Sequence, residues 1–73
     1  MGTVAAIGEQ VRVGGLSLVG VTVHAAEDPE EVRRAWQVLP EGTTLVILTP
    51  AAAQALGAVA LDSVRPLVAV MPP

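Results

Sequence analysis

Four short runs, residues 3–7, 21–25, 45–48 and 67–71, are apolar or β-branched at nearly every position. Strands of a parallel sheet, covered on both faces, read in this way. Polar and small residues separate them, and three of the intervening segments carry helical signals. The middle one is the clearest. Asp28 fits an N-cap, Pro29 the first helical position and Glu31 the third, so the stretch opens as a capping box. Val32, Ala35, Trp36 and Leu39 then recur at i, i+3, i+4 and i+7, one apolar stripe. Glu30 and Arg34 stand four apart on the opposite side, and Pro40-Glu41-Gly42 stops the helix.

The first crossover, from Gln10 to Val19, predicts a weaker helix. Val11 and Val13 are β-branched, and Gly14-Gly15 costs about 1 kcal/mol per glycine relative to alanine. The third helix is predicted to run from Ala51 to about Ala60, with Thr49 as N-cap and Pro50 at its start. Gln54 is the one polar side chain in its body. A helix apolar on all sides is normally buried on all sides, so its outer face is expected either to leave alanines in water or to meet a partner. Asp62 to Pro66 reads as a turn before the last strand.

The order is β-α-β-α-β-α-β with short connections, which predicts one α/β domain over residues 1–73. Right-handed crossovers favour a four-stranded parallel sheet of order 2-1-3-4 flanked by helices, half of a Rossmann-like or flavodoxin-like fold. The second strand then lies on an edge, and the first and third lie in the middle.

Composition narrows the function. The chain has 73 residues, 52% of them hydrophobic, with Trp36 its one aromatic. A core this small often needs a disulfide, a metal or a partner. There is no cysteine, so disulfides and thiolate metal sites are excluded. Seven acids stand against four arginines, and there is no lysine. A chain of net charge -3 without a basic stripe is not expected to hold nucleic acid. No apolar run approaches the roughly 18 residues of a membrane span, and no secretory leader is recognisable at the N-terminus. The expectation is a soluble intracellular protein.

Catalytic and ligand motifs do not assemble. Gly8 to Gly15 follows a strand and precedes a helix, as a phosphate loop does. Five residues separate Gly8 from Gly14, however, and Gly15-Leu16 follows where Lys and Ser or Thr would stand. A phosphoacceptor receiver would need an acid after the third strand, where Thr49 stands, and an acidic pair after the first, where Glu9 is alone. His24 ends the second strand without a nucleophile or acid arranged beside it. Trp36 belongs to the apolar stripe. Arg33, Arg34 and Glu30 read as a solvated face, and Thr43 and Thr44 as a strand entrance. No catalytic residue, cofactor site or metal site is expected.

The segment Ile7-Gly8-Glu9, then Gly15-Leu16, then Leu18-Val19-Gly20-Val21 resembles the N-terminal motif of the F-subunit family of V-type and A-type rotary ATPases. That motif reads I-G-D, a short variable stretch, a glycine with a bulky apolar residue, and L-A-G-V. Pro29-Glu30-Glu31-Val32-Arg33 is similar to the family's acidic helix opening. Leu45 to Thr49 is similar to its central strand, although Pro50 replaces the acid that usually follows. Leu67 to Pro72 is similar to its last strand and proline. The resemblance implies a non-catalytic central-stalk (rotor) protein that binds the long coiled-coil stalk subunit and couples ATP turnover to rotation and ion transport. It also implies a cytoplasmic place peripheral to the membrane. The family carries a further helix after the last strand, whereas this sequence stops at Pro73, as either a truncated piece or a divergent short form would. Two other expectations stand beside this one: a binding module for a phosphorylated small molecule at the carboxyl edge of the sheet, and a small homo-oligomer. The expected partner surfaces are Gly14, Gly15 and Leu16, together with the Ala51, Ala55 and Ala58 side of the third helix.

Overall fold

In the computed structural model, which describes residues 2–73, the four apolar runs form one all-parallel sheet. Its strands are β1 (Thr3–Gly8), β2 (Thr22–Ala25), β3 (Thr43–Leu48) and β4 (Leu67–Val70), in the order β2-β1-β3-β4. This is the predicted order. Register ties Ala5 to Thr22 and Val46, and Val46 to Val68, so these four residues share one face. Their neighbours Ala6, Val23, Ile47 and Ala69 share the other.

The direction of each crossover decides which face receives which helix. The chain leaves β1 towards one edge to reach β2, then returns the other way to β3 and β4. With every crossover right-handed, the first connection lies on one face and the next two lie on the opposite face. The latter two are α2 (Pro29–Gln37) and α3 (Pro50–Leu56), the second continued by α4 (Ala58–Leu61). Together they build the main core, in which Ile7, Val46 and Leu48 meet Ala26, Val32, Ala52, Ala53 and Ala60. Ala35, Trp36, Leu39, Ala55, Leu56 and Val68 pack around this cluster, as the stripe on α2 predicts.

At the start of α2, Asp28 Oδ1 accepts from Glu31 N at 2.8 Å. The return bond is displaced by one residue from a capping box, because Glu31 Oε1 accepts from Glu27 N at 2.8 Å rather than from Asp28.

Two predicted helices are interrupted. The first crossover holds a single α-helical turn, α1 (Gln10–Val13), followed by a 3-10 segment (Gly14–Val19). Gly14 and Gly15 make continuation of the α-helix costly, by about 1 kcal/mol each relative to alanine, and the chain winds on as a 3-10 segment instead. The segment ends at Gly20 (φ 87°), where Gly20 N donates to Ser17 O and Val21 N to Leu16 O, each at 3.3 Å. The third helix breaks at Gly57, whose φ of 70° and ψ of -156° suit only glycine. This turn redirects the chain so that Ala60 is completely buried in the core.

β3 is central, as its apolar run predicts, yet its burial alternates: Val46 and Leu48 are buried, while Leu45 and Ile47 are half-exposed. On that second face α1 packs on β1 and β2, and the 3-10 segment packs on β2. Nothing comparable lies over β3 and β4 among the described residues. The accessible surface, 4579 Å², accordingly exceeds the roughly 4,200 Å² usual for a folded chain of this mass.

Candidate functional site

Two places can carry function: the carboxyl edge of the sheet and the open half of its second face. Ligands of open α/β sheets bind where neighbouring strands send the chain in opposite directions. Here that point lies between β1 and β3. Glu9 follows β1 and Thr49 follows β3, and the Thr49 hydroxyl donates to Glu9 Oε1 at 2.7 Å. The bond lies across the crevice. Gly8 fits this closure because a Cβ there would collide with the buried Thr49 side chain.

The helix N-termini around this point are satisfied by the chain itself. Thr49 Oγ1 also accepts from Ala52 N at 3.3 Å, which caps α3 as predicted. Glu27 Oε2 accepts from Gln10 N at 3.0 Å, and Asp28 caps α2. A cleft of about 180 Å³ remains beside them, lined by Glu9, Glu27 and Asp28 together with Ala26, Val32 and Ala55. Its charge is negative, which repels a phosphoryl group. Among the described residues, no group of three His, Asp or Glu side chains is arranged to hold a metal ion.

The Glu9 carboxyl is held below its usual pKa, first by the Thr49 hydroxyl, then by its own backbone amide, with Arg12 adding a favourable charge. Hydrogen bonds to the charged form act in this direction. The arrangement seals two strand ends together.

His24 lies on the α2 side of β2, beside Glu31, Arg34 and Ala35, and its buried Nε2 has no partner among the described residues. Trp36 is half-buried against the core. Compared with protein-family models, with curated proteins and with solved structures, the chain matches none of them.

The residues expected to meet a partner divide between the two faces. Gly14 and Leu16 are half-buried and Gly15 is exposed, in the 3-10 segment over β2. Ala51 and Ala58 are exposed on the opposite side of the molecule, on different helices, because Gly57 interrupts their stripe. Ala55 is half-buried, packed against the core and lining the cleft beside Glu9. Along the predicted third helix Ala52, Ala53 and Ala60 face inward, whereas Ala51, Gln54, Ala58 and Val59 (78% exposed) face water.

What the sequence reading missed is the open strip on the second face. Register places Val4 beside Leu45 and Leu45 beside Leu67, then Ala6 beside Ile47 and Ile47 beside Ala69. Met71 extends the row, its N–H donating to Leu48 O at 2.8 Å. Over β3 and β4 this surface is apolar from Leu45 to Met71, with Thr44, Glu41 and Arg65 beside Leu67 at its amino end, and Leu67 is 60% exposed. The predicted strand order already contained the signal, since its three crossovers put two helical connections on one face and one on the other. On that same face, Leu18 (88% exposed) and Val19 (75%) also stand in water.

Proposed function

We propose that this chain is a non-catalytic central-stalk protein of the F-subunit kind. In this reading it binds the coiled-coil stalk subunit of a V/A-type rotary ATPase and couples ATP turnover to rotation and ion transport. It works in the cytoplasm, peripheral to the membrane. The observation that carries the reading is the apolar half-face over β3 and β4. A parallel sheet is normally covered on both faces, and this one keeps Leu45, Ile47, Leu67 and Ala69 partly or largely in water. A protein that works against a partner has a use for such a surface.

The residues that carry the family resemblance also have physical tasks in this fold. Gly8 admits the Thr49 side chain, Glu9 receives its hydroxyl, and Gly20 takes the left-handed turn into β2. The carboxylate-lined cleft weighs against the alternative of a phosphate-binding module. Among the described residues, no helix is long and apolar enough to cross a membrane.

Sedimentation of the purified chain, alone and with the coiled-coil stalk subunit from the same source, tests the proposal. Co-migration as a one-to-one complex is the expected result. A monomer that ignores the stalk subunit overturns it.

A further inference from the structure

We infer that the open strip of Val4, Leu45, Ile47, Leu67, Ala69 and Met71 is the docking surface, and that its occupant is a single amphipathic helix of a protein partner. The inference takes the coiled-coil identity of that partner from the stalk reading. The shape of the surface stands independently of it.

The width of the gap comes first. Strands lie about 4.8 Å apart, so two uncovered strands leave a band roughly 10 Å wide. One α-helix with its side chains is about 10–12 Å across. On the same face α1 already occupies the space over β1 and β2. The open band is one helix wide, beside a helical wall.

Area then separates the possible occupants. Four residues of β4 at about 3.3 Å each give a band some 13 Å long, so the strip offers at most a few hundred Å² of accessible surface. A stable pair of globular chains buries about 800 Å² on each side. A second copy seated on this strip alone falls well short. A long partner helix is not confined to the strip. It continues past the strand ends, towards the exposed Val64 at one end and Arg12 at the other.

Charge fixes one end. The row from Leu45 to Met71 carries no ionisable side chain, and at its amino end Glu41 and Arg65 beside Leu67 offer one charge of each sign. At its carboxyl end the Arg12 side chain reaches from α1 to the chain after β4, and its Nη2 donates to Pro72 O at 2.8 Å. A guanidinium has five N–H donors in a fixed fork, so the remaining donors are available to a carboxylate. The matching helix has an apolar stripe towards the sheet and an acidic residue over Arg12.

The test is an NMR titration of the isotopically labelled chain with two probes. One is the coiled-coil stalk subunit from the same source; the other is a designed monomeric helix with a leucine stripe and a glutamate at one end. The expected result with each probe is amide shifts concentrated at residues 45–47 and 67–71, with α3 unmoved. Ala69→Arg should weaken binding of both probes roughly tenfold or more, because it would bury an unpaired guanidinium. Ala51→Glu, on the opposite face, should leave binding unchanged. Both variants are checked for an unaltered fold from their spectra.

Stalk binding that shifts α3 or α4 instead overturns the docking surface and leaves the stalk function standing. A stalk subunit that fails to bind, with the designed helix still shifting the strip, overturns the function and leaves the surface standing. Silence with both probes overturns both. Strip shifts that depend on protein concentration in the chain alone assign the surface to a second copy and overturn the helix.

Discussion

The two faces of the sheet are made from the same residue types and have different fates. On the face towards α2 and α3, Ile7, Val46 and Leu48 are completely buried under these two helices, which also contact one another. On the other face, Leu45 and Ile47 of the same central strand stand half in water beside Leu67 and Ala69. Hydropathy cannot separate Leu45 from Leu48. What separates them is the count of crossovers on each side of the sheet. The covered face supplies stability, and the open one supplies a surface.

The largest effect that sharpens this contrast is on the core. Leu48→Ala should cost about 2–5 kcal/mol, the range for deleting a buried leucine, which is a large part of the total stability of a chain this size. Leu67→Ala, on the open face, should cost less than about 1 kcal/mol. Urea denaturation of both variants measures the difference. Equal losses would mean that the strip is covered in solution and would break the comparison.

Glycines on the two sides should also respond oppositely. Gly57→Ala forces a side chain into a backbone region reserved for glycine and should destabilise by about 1–3 kcal/mol. Gly15 has open space around its missing Cβ and no positive φ. Gly15→Ala should therefore be neutral or stabilising, by up to about 1 kcal/mol. Thermal melts suffice to order the two.

Asp28→Ala removes the cap of α2 and should cost about 1 kcal/mol, read from the urea midpoint. The smallest effect belongs to the Glu9–Thr49 bond. Because the folded protein holds the Glu9 pKa below its unfolded value, the bond stabilises the fold above the ordinary carboxylate range. That contribution is lost as pH falls through the lower, folded value. Thr49→Val also removes the α3 cap and should lower the urea midpoint at pH 7 for that reason, so the Glu9 bond is read from the acid profile alone, as a smaller fall of the midpoint on acidification below about pH 4.3. An unchanged acid profile would show that the bond contributes little in solution.

Much of the fold was legible because its signals are local. Asp28, Pro29 and Glu31 announce a helix start within four residues, and the stripe from Val32 to Leu39 names the face that packs. Thr49 and Pro50 did the same for α3. The site was less legible. Ala51, Ala55 and Ala58 read as one stripe only if the helix is continuous, and Gly57 turns the chain between them. The sealed crevice was hidden for a related reason: Glu9 and Thr49 are forty positions apart, and only parallel pairing of β1 with β3 brings them together.

The sequence by itself determined the alternation of strands and helices, the caps, the strand order through the handedness of its crossovers, and a core of aliphatic and small residues. These follow from periodicity, turn chemistry and connection length, all properties of neighbouring positions. Only the tertiary structure decided that Gly14-Gly15 yields a 3-10 segment, that Gly57 folds Ala60 into the core, and that half of one sheet face remains open. Those outcomes depend on what lies above each side chain in space. Covering one strand requires a helix supplied from a distant part of the chain, and over β3 and β4 on the second face the described residues supply none.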